Sequence, residues 1–177
     1  VLTIDEAPQA LMAGAPNVWT RSVSGVTAVQ PGVGEVFDNV TAFATSIEHQ
    51  NIWNAALGLD AGALEAGGFL VGRVLAITGD GLRPKAGARV RARQNPNLTD
   101  CEAGASCLRF FDDDPRLIGF QEAGAGSTGA SGGFLMILAG RPVLQDLFHV
   151  QGDESYGNLP AGASVGSGFH TALLPQQ

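Results

Sequence analysis

Lysine is almost missing from this chain, with Lys85 the single one, and the 10 basic residues are outnumbered by 17 acidic ones, for a net charge of −7 at pH 7. Such a balance repels a phosphate backbone and argues against a nucleic-acid partner. Long apolar runs are missing too. The longest, such as Phe134 to Ala139, fall far below the roughly 20 residues a membrane-spanning helix needs, so no membrane insertion is expected. Aromatic residues reach only 7%, which favours core or interface anchors over a sugar-stacking platform as the role of Trp19, Trp53 and Tyr156. The chain begins at Val1 with neither an initiator Met nor a basic-then-apolar leader. It is therefore read as a mature form freed of its signal peptide.

Cysteine is scarce. Cys101 and Cys107 have five residues between them in a Gly/Ala-rich segment, a spacing that suits a local disulfide better than a C-x-x-C metal knuckle. Closing a loop this short removes about 2 kcal/mol of unfolded-chain entropy, enough to pin a loop but not to hold a fold together. A disulfide implies an oxidising compartment: periplasm, cell surface or exterior. Two free thiols in a reducing compartment are the other reading. The sequons Asn39-Val40-Thr41 and Asn97-Leu98-Thr99 are short N-glycosylation matches.

Glycine is abundant at 25 residues, with 9 prolines and 45% apolar content, which together imply a buriable core joined by many turns. At 177 residues one domain with an extension is the natural size. Val1 to Ile4 and the β-branched Val18 to Val29 read as strands. Between Gly34 and Leu57, helical spacing of Val36, Val40, Phe43 and Ile47 competes with strand formers, and the segment is read as strands with a short helical turn near Ile52-Trp53. Asp60 to Gly68 is a linker or one helical turn closed by paired glycines, which sets the boundary between a mostly β extension over 1–67 and a sandwich over 68–177.

From Gly68 onward about seven strands follow: Gly68 to Ile77, Ala88 to Arg93, Leu108 to Phe111, Leu117 to Gln121, Phe134 to Leu138, Leu147 to Val150 and Phe169 to Leu174. In Ala88 to Arg93 the alternation is strict, with Arg89, Arg91 and Arg93 on the wet face. Gly152 to Gly168 reads as a long glycine-rich loop. Seven such strands make an all-β, antiparallel sandwich.

The residues also carry a family pattern. Leu70-x-Gly72-x-Val74 is followed by a glycine turn, Pro84 and Gly87-Ala88-x-Val90, and Thr128 to Ser131 runs into Gly132-x-Phe134-x-Met136. This stretch resembles the carboxypeptidase regulatory-like domains of the transthyretin-like (prealbumin-like) group, over roughly 68–174. The resemblance implies a seven-stranded sandwich without a catalytic centre, serving as an accessory, adhesive or assembly module of secreted and surface proteins. Some related collagen-adhesin repeats carry a Lys-to-Asn isopeptide bond. Lys85 sits in a turn beside Pro84, so none is carried over.

Catalytic and cofactor motifs are weak. Gly124 to Gly129 matches G-x-G-x-x-G, but a strand follows where a nucleotide site needs a helix. Gly129 to Gly133 and Gly162 to Gly166 match G-x-S-x-G around Ser131 and Ser164, with Asp146, Asp153 and His170 available for a triad, yet neither serine joins a strand to a helix. Asp112 to Asp114 offer oxygen ligands for calcium or a solvated acidic loop. His49, His149 and His170 share no ligand spacing. The reading is therefore no enzyme, no cofactor and no metal.

Two strands are apolar on both faces. Opposite Leu70, Val74 and Ala76 stand Phe69, Val71, Leu75 and Ile77, with only Arg73 polar, and opposite Phe134, Met136 and Leu138 stand Leu135 and Ile137. An antiparallel sheet normally wets one face, and large side chains gain about 1.5 to 3 kcal/mol each when buried. Phe69, Val71, Leu75, Ile77, Leu135 and Ile137 are thus expected beneath the extension or at an interface with a neighbouring subunit. The function this implies is an extracytoplasmic structural or adhesive protein that self-assembles or decorates a surface structure or filament. The alternative is a carbohydrate- or ligand-binding accessory module.

Overall fold

The computed structural model describes residues 2–4, 22–24, 44–96, 98, 107–138 and 143–176. The chain is mostly β. Its elements are β1 (Leu2–Ile4), β2 (Ser22–Ser24), α1 (Ile47–Ala56), α2 (Ala63–Gly67), β3 (Phe69–Thr78), β4 (Gly81–Pro84), β5 (Val90–Ala92), β6 (Cys107–Phe110), β7 (Gly133–Ile137), β8 (Val143–Val150), β9 (Leu159–Ser164) and β10 (Gly168–Leu173), with a 3-10 turn at Glu154–Tyr156. Trp19, Cys101 and both sequon asparagines lie outside the described residues.

A large sheet runs in the order β1-β2-β10-β3-β7-β6, with β4 hairpinned onto the far half of β3, and a small sheet runs β5-β8-β9. Every pairing is antiparallel except those of β10, which runs parallel to both β3 and β2. The large sheet is therefore mixed, where alternation alone led to an expectation of antiparallel pairing throughout. Parallel pairing here follows from the connection: β10 returns to β3 after a long excursion through the small sheet, not across a tight turn.

The two sheets share one core. Leu70 and Val74 of β3, Leu108 and Phe110 of β6, and Phe134 and Met136 of β7 pack with Val90, Phe148, Val150 and Ala163 of the small sheet. Phe134 and Phe148 stack at 6.3 Å between ring centroids. Gly72 leaves room for the Phe134 ring, which fills the space a β-carbon would take. Ala88, Val90 and Ala92 are buried while Arg89 and Arg93 are exposed, as their strict alternation requires.

A second core lies on the opposite face of the large sheet, where Trp53 and Leu64 from the helices pack with Phe69, Val71 and Leu135 from the sheet and with Phe111 and Leu117 from the loop after β6. The described part of the extension beyond residue 44 is thus helical. Ser46 caps α1 by accepting from the His49 amide, and its buried stripe is Gln50, Trp53 and Asn54. The Asn54 Oδ1 accepts from the Leu64 amide and so ties α1 to α2. Gly68, at φ +85°, turns α2 into β3 against the Ser164 backbone, a position a side chain cannot occupy. Among the described residues no helix is long and apolar enough to cross a membrane.

Two further segments differ from expectation. Leu117 to Gln121 holds a single bridge, Phe111 with Phe120, because Leu117 adopts φ +57°, which no strand allows. Gly152 to Gly168 contains β9, paired along its length with β8; Gly162 lets the two backbones meet at the Leu144 carbonyl.

Candidate functional site

The outer face of the large sheet is where the chemistry-bearing side chains gather. Phe69 and Leu135 are fully buried there and Val71 is 6% exposed, all beneath the chain's own helices and out of reach of a second subunit. Ile137 and Leu75 are half-buried, and Ile77 is 50% exposed. The expected cover is therefore intramolecular over the first half of β3 and, among the described residues, missing over the second.

Between the N-terminal turn of α1, the outer face of β3 and β10, and the loop at 116–117 lies a cavity of about 640 Å³. Its apolar wall is Trp53, Val71, Leu75 and Leu117, and its polar groups come from Thr45, His49, Arg73, Arg116 and His170. The left-handed Leu117 presents its carbonyl to two donors at once, the Trp53 indole Nε1 and His49 Nε2 at 3.1 Å. A carbonyl only accepts, so His49 carries its proton on Nε2. Trp53 is further held edge-on to Phe69 at 5.8 Å and tilted against Phe111 at 5.4 Å. These contacts make that wall rigid.

His170 is 8% exposed and hydrogen-bonded through Nε2 to Thr45 Oγ1 at 3.3 Å. Burial holds its pKa down to about 4, so the ring is neutral near pH 7. Arg73 donates from Nη2 to the Pro115 carbonyl and has no carboxylate partner among the described residues. Burial lowers its pKa as well. Arg116 is paired differently. Its exposed guanidinium grips both oxygens of Asp114, and that grip holds the half-buried Asp114 carboxyl down at about 2.

Family models, curated proteins and solved structures give no match to this chain.

The other sequence candidates disperse. Ser131 donates to the Asp112 carbonyl, and Asp146 accepts from the Gln94 amide, Asn95 Nδ2 and the Leu147 amide. Burial works to raise the Asp146 pKa, but those donors outweigh it and the net shift is downward. Asp153 pairs with Lys85, whose ammonium also lies 4.7 Å from the Tyr156 ring centroid. His170 meets Thr45 and neither serine. The three aspartates of 112–114 turn to local partners: Asp112 to the Asp114 amide, Asp113 to the Ala130 amide and Asp114 to Arg116. Among the described residues no group of three His, Cys, Asp or Glu is placed to hold a metal. Gly124 to Gly129 lies in the loop leading into β7, with no helix after it.

Tyr156 is buried and its hydroxyl donates to the Leu75 carbonyl at 2.9 Å, and Trp53 is buried too, so neither ring is a surface stacking platform. Arg91 and Arg93 line a second cavity of about 780 Å³ with His149, faced by Asp153 and Glu154. Cys107 is buried at the start of β6 and is not a free thiol.

Proposed function

We propose that this chain is a non-enzymatic, extracytoplasmic structural or adhesive protein, built on a transthyretin-like sandwich of the carboxypeptidase regulatory-like kind, and that it associates with a second copy of itself. Four strands, β10-β3-β7-β6, packed over three, β5-β8-β9, support the seven-stranded layout, with β4 as an added arm. A disulfide between Cys101 and Cys107 belongs to the same reading, in keeping with Cys107 not being a free thiol.

The observation that carries the self-association is the β3–β4 arm. Ile77 and Leu82 stand directly opposite each other in its register and are 50% and 53% exposed, and all four residues of β4 are exposed. Paired apolar side chains beside an edge strand match edge-to-edge pairing between copies. Light scattering across a concentration series tests this. The wild-type mass should rise with concentration, and the Ile77→Asp, Leu82→Asp double variant, altered only at exposed positions, should stay monomeric. A wild-type chain that is monomeric up to its solubility limit refutes the proposal.

A second reading, a ligand-binding accessory module, is favoured by one observation: the cavity beneath α1, with its rigid apolar wall and an arginine that has no carboxylate partner among the described residues.

A further inference from the structure

We infer that the cavity beneath α1 binds a small amphipathic carboxylate, its apolar body against the sheet and its carboxylate on Arg73. This rests on the ligand-binding reading and is independent of the self-association.

The volume of about 640 Å³ lies within the range of small-molecule sites, which combine an apolar lining with a few convergent polar groups. Charge identifies the head group. The described lining contains two arginines and no Asp or Glu, in a chain of net charge −7, so the cavity is a local inversion of the protein's field. Arg116 is already satisfied by Asp114. Arg73 is not: it is half-buried, loses part of its hydration, and spends one donor on the Pro115 carbonyl. A guanidinium has five N–H donors in a fork that matches a carboxylate bidentately, and a partly desolvated cation gains most from an anion that shares its low-dielectric surroundings.

The walls identify the tail. Val71 and Leu75 lie on the same face of β3 as Arg73, and Trp53 and Leu117 stand across from them. A ligand held at Arg73 therefore meets hydrocarbon along its length. His170 is neutral by burial, so it adds no competing charge and offers the ligand a polar edge.

Titration of the full chain with sodium octanoate, followed by calorimetry and by the NMR resonances of the Trp53 indole and the His170 ring, tests the inference. Octanoate should bind saturably and shift both rings, octanamide should bind about tenfold more weakly, and Arg73→Gln should lose octanoate by a similar factor. Arg89→Gln, on the far side of the molecule, should leave binding unchanged. Equal affinity for octanoate and octanamide overturns the carboxylate assignment while leaving an apolar ligand site in place. Absence of saturable binding by either overturns both. Should Arg73→Gln fail to fold, the comparison of the two probes on the wild-type chain still decides.

Discussion

His170 projects from β10 into the wall of the cavity, and its neutral ring is a condition of the native state. In the unfolded chain a histidine protonates near 6.5, whereas burial delays this to about pH 4 in the folded protein. Between those values the unfolded state holds more protons, so stability falls as pH drops from 6.5 to 4 and is level outside that window as far as this group is concerned. The full effect is about 3 kcal/mol. Asp114, Asp146 and Asp153 all have lowered values, so their contributions are lost at lower pH, as each is protonated in the fold. Urea midpoints at pH 7 and pH 4.5 should therefore differ less in His170→Gln than in the wild type; an identical difference refutes the assignment. At this scale Arg73 was legible in the sequence as the one polar residue on an otherwise apolar face of β3. Its lack of a carboxylate partner among the described residues was not, because that depends on where Asp112 to Asp114 turn, and they turn to backbone amides and Arg116.

At the scale of elements, α1 is the lid of the second core, and Trp53 is its anchor. Replacing it with Ala removes ring contacts to Phe69 and Phe111 and the indole bond to the Leu117 carbonyl. The expected loss is about 3 to 5 kcal/mol, with new binding of a hydrophobic dye at the uncovered face of β3 and β7. A melting temperature within a degree or two of wild type would mean that the helix does not depend on this contact. The strands β3, β5 and β7 were readable because runs of β-branched and aromatic residues, or strict alternation, leave one interpretation. Only a short turn of the helix near Ile52-Trp53 was readable, and its full length was hidden because two of the three residues in its buried stripe, Gln50 and Asn54, are polar, which erases the apolar period. A signal was present all the same in Ser46 followed by an acidic first turn at Glu48. β9 was hidden for another reason: Leu159–Ser164 is made of small residues, Pro160 and Gly162, and is a strand only because β8 lies beside it.

For the whole molecule, the decisive element is β10, which lies between β2 of the extension and β3 of the sandwich. The compositional boundary near Gly68 is thus crossed by hydrogen bonds on a strand nearly 100 residues downstream, which binds β2 to the sandwich, while α1 and α2 pack on the sandwich through the second core. A chain truncated after residue 166 leaves the edge of β3 unpaired and part of the first core open. It should be digested quickly by a nonspecific protease and melt without a sharp transition. Full-length behaviour from that truncation would show that the sheet closes without β10.

The same arrangement sets an order in time. Synthesis delivers β2, α1 and β3 early, yet the strand that must lie between β2 and β3 emerges after every other strand described. Until then the growing polypeptide displays two unmatched strand borders and a row of Phe and Leu side chains. Pairings so distant in sequence form slowly, and exposed apolar surface of this kind aggregates or recruits a holding factor. Closure of the large sheet therefore waits on β10, the last of the described strands to be made, and anything that delays that segment prolongs the exposure of this surface.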